Sequence, residues 1–157
     1  MEYQPIGIIH SPFQEPAGMP IQPAAAGDTE GKVEIFPEFS AGLKDLEGFS
    51  HLILIYHFHR SQGYRLQVVP FLDTEPRGVF ATRAPKRPNP IGISVVRLQG
   101  VDGRTLAVSS VDILDGTPLL DIKPYVPDFA PGGEVRIGWL EKNRRTIRQR
   151  QADDRFK

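Results

Sequence analysis

The densest set of polar side chains in this sequence is Arg83-Ala-Pro-Lys-Arg-Pro-Asn-Pro-Ile-Gly92, where three cations and an asparagine are interleaved with three prolines. Each proline fixes its own φ and pushes the preceding residue towards extended geometry, here Arg87 before Pro88 and Asn89 before Pro90. A loop constrained in this way has little conformational entropy left to lose on binding. Arg83, Lys86, Arg87 and Asn89 are therefore held in preset directions, as a platform for an anionic or hydrogen-bonding ligand requires.

A second dense segment runs from Asp112 to Tyr125 and contains Asp115-Gly116-Thr117-Pro118, a tight turn at the end of a strand. The Asp115 carboxylate, the Thr117 hydroxyl and the turn's backbone groups suit the hydroxyls or amine of a small ligand, though an Asx-type turn alone uses the same residues. Three aspartates and Lys123 fall at mixed strand parity, which does not favour a hard-metal site. His57-Phe58-His59 puts two imidazoles on one strand face. His10 and His51 are distant in sequence, so no third metal ligand stands out, and His59 reads as a pocket-lining residue. In Pro20-Ile21-Gln22-Pro23, two prolines fix the setting of Gln22, whose amide can read an adenine or a carboxylate. No Ser/His/Asp arrangement or acid pair compels an acid–base mechanism.

The elements that must hold these residues read as mainly β. Expected strands are Tyr3–Ile9, Lys32–Phe36, Ser50–Phe58, Leu66–Phe71, Gly78–Thr82, Ile91–Leu98, Thr105–Ile113 and Leu119–Ile122. Ser50–Phe58 is apolar almost throughout and is expected to be central and covered on both faces. Asp102-Gly103 marks a hairpin turn. Ser11–Gly31 is a long loop, Pro37–Phe49 a short helix or turn, and Gly138–Ala152 the one candidate for a long helix, thinly apolar. Short strands at close spacing, without βαβ alternation or a glycine-rich phosphate loop, argue for a β-barrel or sandwich and against a doubly wound nucleotide-binding fold.

The 157 residues suit one domain, read as a β core over 1–140 followed by a basic helix or tail over 141–157. The net charge of zero hides an asymmetry: residues 1–140 carry 12 basic and 16 acidic side chains, residues 141–157 seven basic and three acidic. Basic blocks such as this tail and Arg77–Arg87 suit phosphates. There is no cysteine, which removes disulfides, thiolate metal sites and a cysteine nucleophile from consideration. With no apolar run of membrane-spanning length and no secretory pattern, the expectation is a cytoplasmic protein.

The segment Gly78 to Gly92, then Asp115-Gly-Thr-Pro and Asp121-Ile-Lys-Pro-Tyr125, closely resembles the TsaA-like family that includes the tRNA methyltransferase O enzymes. Tyr3–Pro12 and Leu46–Leu52 are similar to its opening strand and central-strand entry, so the resemblance covers roughly residues 3–140. It implies a compact β-barrel-like domain, usually dimeric, that binds S-adenosylmethionine and methylates the exocyclic amine of threonylcarbamoyl-adenosine next to the anticodon of certain tRNAs. It also implies a cofactor site drawn from Pro20, Gln22, Phe58, His59, Arg83, Ile93 and the turn Asp115, Gly116, Thr117 and Pro118, and no metal. Methyl transfer from a sulfonium needs alignment and desolvation more than strong acid–base groups, and rigid proline loops suit that demand. Lys86 and Arg87 are then expected to hold RNA phosphate, and Asn89 and Tyr125 to orient the nucleophilic amine. A cofactor-binding module without catalysis and a methyltransferase of a smaller substrate remain open alternatives. Longer relatives carry an additional C-terminal domain where this sequence has only its basic tail.

Overall fold

In a computed structural model, which describes residues 1–20, 26–129 and 132–143, six strands close into an antiparallel barrel. The strands are β1 (Gly7–His10), β2 (Glu30–Ile35), β3 (His51–His57), β4 (Gln67–Val68), β5 (Arg77–Gly78), β6 (Ile91–Asp102), β7 (Thr105–Ser109) and β8 (Thr117–Pro124). The barrel order is β1-β2-β7-β6-β3-β8, while β4 and β5 form a separate two-stranded sheet. Closure leaves the six barrel strands without a free edge.

Side-chain alternation explains the closure. Leu52, Leu54 and Tyr56 of β3 point inward, as do Val33 and Ile35 of β2, Val96 of β6 and Leu106 and Val108 of β7. These meet Ile9, Leu119, Val111 and Ile113 in one core. The outward residues of β3 are only half-buried, so this strand is central in pairing, between β6 and β8, but not fully covered on both faces. The β6–β7 hairpin turns at Gly103, whose φ of 56° suits the glycine of the Asp-Gly pair.

Several sequence expectations shift. Tyr3–Ile6 stays outside β1. Arg77–Gly78 is a two-residue strand that runs into a 3-10 turn, Val79–Ala81, in place of the expected strand Gly78–Thr82. There Thr82 Oγ donates to the Val79 carbonyl at 2.9 Å and closes the turn. Pro37–Leu43 and Leu46–Gly48 are 3-10 helices, and Gly138–Asn143 is a single 3-10 segment. Gln22 and the tail beyond Asn143 lie outside the described residues. Among the described residues no helix is long and apolar enough to cross a membrane.

Residues 58–90 form an excursion between β3 and β6 that sits at one end of the barrel. It has its own small cluster of Val68, Val79 and Ala84. The excursion is anchored by Phe58 N–H donating to the Pro90 carbonyl at 2.8 Å, which draws its two ends together. Gly92, the second residue of β6, allows this: a Cβ there would run into the ring of Tyr56. Because that ring is buried and hydrogen-bonded, it cannot swing aside cheaply. Gly92→Ala is therefore expected to destabilise the fold by about 1–3 kcal/mol, read as a lower melting temperature; an unchanged transition would mean that Tyr56 is free to move.

Candidate functional site

At the barrel end covered by the excursion lies a cleft of about 270 Å³. Its walls come from several segments far apart in sequence. The early loop gives Pro16, Met19 and Pro20; the turn after β3 gives Phe58, His59 and Arg60; the segment between β7 and β8 gives Asp112 to Leu114 and then Thr117. The proline loop and the start of β6 complete it with Arg83, Arg87, Ile91 and Ile93. Rings, prolines and aliphatic chains dominate, with a few polar groups converging, which is the usual make-up of a small-ligand pocket.

The proline loop is tied to its surroundings and to itself by hydrogen bonds. Ser61 Oγ donates to the Pro85 carbonyl at 3.0 Å, and Arg65 N–H to the Lys86 carbonyl at 3.2 Å. Arg87 Nη1 donates to the carbonyls of Thr82 and Ala84 at 3.1 and 3.2 Å. Its guanidinium thus staples its own loop and lines the cleft, a different placement from the RNA-facing rim expected for it. Arg83 lines the cleft while remaining exposed, and Asn89 lies on the exposed outer part of the loop, away from the cleft wall.

The turn after β7 divides its residues in an unforeseen way. Ser11 N–H donates to Asp115 Oδ1 at 3.1 Å, Gln14 Nε2 donates to Oδ2 at 3.3 Å, and His10 Nδ1 lies 3.4 Å from Oδ1. The Ser11 amide bond is the main reason that the Asp115 carboxyl sits below its ordinary range. Asp115 therefore ties the turn to the exit of β1 and does not line the cleft. Gly116 makes the turn with a φ of 71°, and Pro118 is in β8 opposite Ile8. Thr117 does reach the cleft. Its Oγ donates to the Leu114 carbonyl at 2.7 Å and lies 3.3 Å from His59 Nδ1. His59 stands in a turn just beyond β3, so it does not share a strand face with His57. Burial, and then the charge of Arg60, hold its pKa below the ordinary histidine value, so it is neutral at pH 7.

Tyr125 is not brought to this cleft. Its N–H bonds to the His51 carbonyl and its ring meets that histidine edge-on at 6.3 Å, at the opposite end of β3 from Phe58. The length of β3, roughly 20 Å at about 3.3 Å per residue, separates the two.

The residue that sequence reasoning passed over is Asp112, the one acid among the described residues lining the cleft. Ser94 Oγ of β6 donates to Asp112 Oδ1 at 2.6 Å, and the Tyr56 hydroxyl of β3 lies 3.0 Å from Ser94 Oγ. Burial pushes the Asp112 carboxyl up to about 6, against the opposing hydrogen bond from Ser94 and the charge of Arg83. Burial likewise carries Tyr56 far above the ordinary tyrosine range, so it remains a neutral phenol. A sequence signal existed: Asp112 stands between Val111 and Ile113, both fully buried, a setting in which an acid needs a reason.

The raised carboxyl has a stability consequence. An unfolded aspartate titrates near about 3.9, so between that value and about 6 the folded protein binds the extra proton. Stability contributed by this group therefore increases as pH falls through that window and is lost above it. Asp112→Asn is expected to raise stability at neutral pH by on the order of 2 kcal/mol and to have little effect below about pH 3.5. Thermal unfolding of both proteins across this range checks it, and a variant destabilised at neutral pH would show that the charged form is favoured by the fold.

With the geometry established, similarity to known proteins can be placed on it. The sequence matches the tRNA-methyltransferase O N-terminal domain over residues 8–130, which takes in β2 to β8 and all of β1 but its first residue. It is 64% identical, over 98% of its length and 84% of the relative's, to a protein of Pyrococcus abyssi named probable S-adenosyl-L-methionine-binding protein. It is 40% identical over 95% of its length to the tRNA (adenine(37)-N6)-methyltransferase of Escherichia coli, covering 74% of that enzyme. The crystal structure of TrmO from Pseudomonas aeruginosa superposes with a TM-score of 0.74 at 42% identity, over 88% of this chain. This chain spans 62% of that one. The chain belongs to the tRNA-methyltransferase O N-terminal domain family.

Proposed function

We propose that the cleft binds S-adenosylmethionine and that the protein methylates the exocyclic amine of an adenosine in tRNA, specifically threonylcarbamoyl-adenosine beside the anticodon. The observation that carries this reading is the convergence, in one cleft, of flat apolar faces, fixed arginines and a single desolvated carboxylate. Phe58, Met19 and Pro20 offer apolar surface to an adenine. Arg83 offers a guanidinium to a carboxylate. Neutral His59, with Thr117 beside it, provides a hydrogen-bonding edge that does not add positive charge. When bound, S-adenosylmethionine supplies a methyl group on a sulfonium, ready for in-line displacement.

The chain's own contribution is orientation and exclusion of water. The stapled proline loop fixes Arg83 and Ile93 relative to the Thr117 turn. Asp115 and Gly116 shape that turn instead of touching the ligand. Lys86 and Asn89 stand on the outer part of the loop, where a tRNA would approach, and take the contacts to phosphate and to the base. Tyr125, at the far end of β3, has no part in this cleft within one chain.

A second reading is a module that binds the cofactor without catalysis. It is favoured by the binding-only name of the Pyrococcus abyssi relative. Incubation with isotopically methyl-labelled cofactor and tRNA lacking the methyl mark, followed by mass spectrometry of the nucleosides, separates the two. Label on threonylcarbamoyl-adenosine is the expected result; binding of cofactor without any labelled nucleoside would support the module. Arg83→Ala is expected to weaken cofactor binding by about 10- to 100-fold, as loss of a charge-assisted hydrogen bond does. Because Arg83 is exposed, its melting temperature should not change.

A further inference from the structure

Asp112 stands alone against Arg60, Arg83 and Arg87 in the described wall of the cleft. Three guanidinium groups favour carboxylates and phosphates and repel a cation. Asp112 is also poorly used by the fold. Its carboxyl is drawn out of water, and Ser94 gives it one hydrogen bond that a neutral amide would accept equally well. The charge therefore has no partner in direct contact that the barrel requires, while the cleft needs a negative charge if its ligand is positive.

We propose that Asp112 is the specificity-determining counter-charge of the cleft, admitting a sulfonium ligand and loosening its hold on the thioether that methyl transfer leaves behind. This rests on the reading of the cleft as an S-adenosylmethionine site. In that transfer the methyl–sulfur bond breaks with its electron pair on sulfur, the methyl–nitrogen bond forms, and the amine releases a proton to solvent. The positive charge thus leaves sulfur, and with it the attraction to Asp112. Release of product follows from the same residue that favours entry of the donor.

The groups that face Asp112 set its pH dependence. Tyr56 comes from β3, His59 and Arg60 from the turn after it, Arg83 and Arg87 from the proline loop, and Ser94 from β6. Asp115, on its own segment, turns away to Ser11. Tyr56 stays a neutral phenol, which leaves Asp112 and His59. Protonation of either disfavours a cation in the cleft, so removal of Asp112 must be compared with the parent protein.

Isothermal titration of the full chain with S-adenosylmethionine and with S-adenosylhomocysteine, for the parent and for Asp112→Asn, tests the proposal. The variant should bind the sulfonium at least about tenfold more weakly and the thioether within about twofold of the parent. Between about pH 7.5 and pH 5 the parent should lose about tenfold in affinity for the sulfonium and much less for the thioether, a difference that Asp112→Asn removes. Because His59 also takes up a proton as the pH falls, the pH arm is read as the difference between the parent and the variant. Equal weakening of both ligands, or of neither, overturns the counter-charge role while leaving the cofactor site intact. Failure of the parent to bind either ligand overturns the cofactor reading itself.

Discussion

The cleft of this protein is organised around a chain of three side chains, Tyr56, Ser94 and Asp112, at the covered end of the barrel. Each link comes from a different part of the sequence: β3, β6 and the segment after β7. Tyr56 occupies the inward position where its strand meets the excursion, and Gly92 leaves room for its ring. Ser94 is nearly fully buried and is directed between the phenol and the carboxyl. A phenol and a hydroxyl can supply a carboxylate with polar contacts without bringing a charge of their own. The result is a negative group at the boundary between core and cleft. Such a group costs folding free energy when ionised and is retained where a ligand makes use of it.

Everything around that chain is stiff. Three prolines and the Arg87 staple fix one wall, and the Asp115 anchor fixes the turn opposite. Trp139 extends the bracing, since its indole N–H donates to the Ala81 carbonyl at 2.8 Å and Arg77 lies over its ring at 5.9 Å. The segment after the barrel thereby touches the base of the loop that carries Arg83. For a displacement at carbon, which depends on alignment, fixed walls supply what a metal or a nucleophilic side chain supplies in other enzymes. The electrostatic balance is the variable part. Arginines alone would fit anions, and one acid changes which small molecules the cleft accepts.

What could be read from the sequence was local. The prolines of residues 83–92 and the Asp102-Gly103 hairpin each act on their own neighbours, and each was legible, whereas the inward–outward alternation of β3 was hidden by its apolar outer residues. Pro20, Phe58, His59, Arg83, Ile93 and Thr117 line the cleft, and it was the family resemblance that pointed to them as a set. The misreadings share one physical cause. Asp115 is held by an amide 104 residues away in sequence, and no local pattern records that partner. Arg87 looked like an outward cation because a sequence does not show that nearby carbonyls fold back on it. Tyr125 follows Pro124 in a segment dense with polar residues, yet strand pairing carries it to the far end of β3. Asp112 matters only after the barrel has closed and brought Ser94 beside it.

The most direct measurement of this account is a carbon-detected NMR titration of the aspartate carboxyls, with Asp112 assigned by comparison with its asparagine variant. The free protein should show the Asp112 carboxyl titrating near 6. Saturating S-adenosylmethionine should move that titration towards the ordinary aspartate range, and S-adenosylhomocysteine should move it much less. A free-protein titration near the ordinary aspartate value, or the same displacement by both ligands, would contradict the central claim that a desolvated carboxylate at the barrel mouth selects for positive charge.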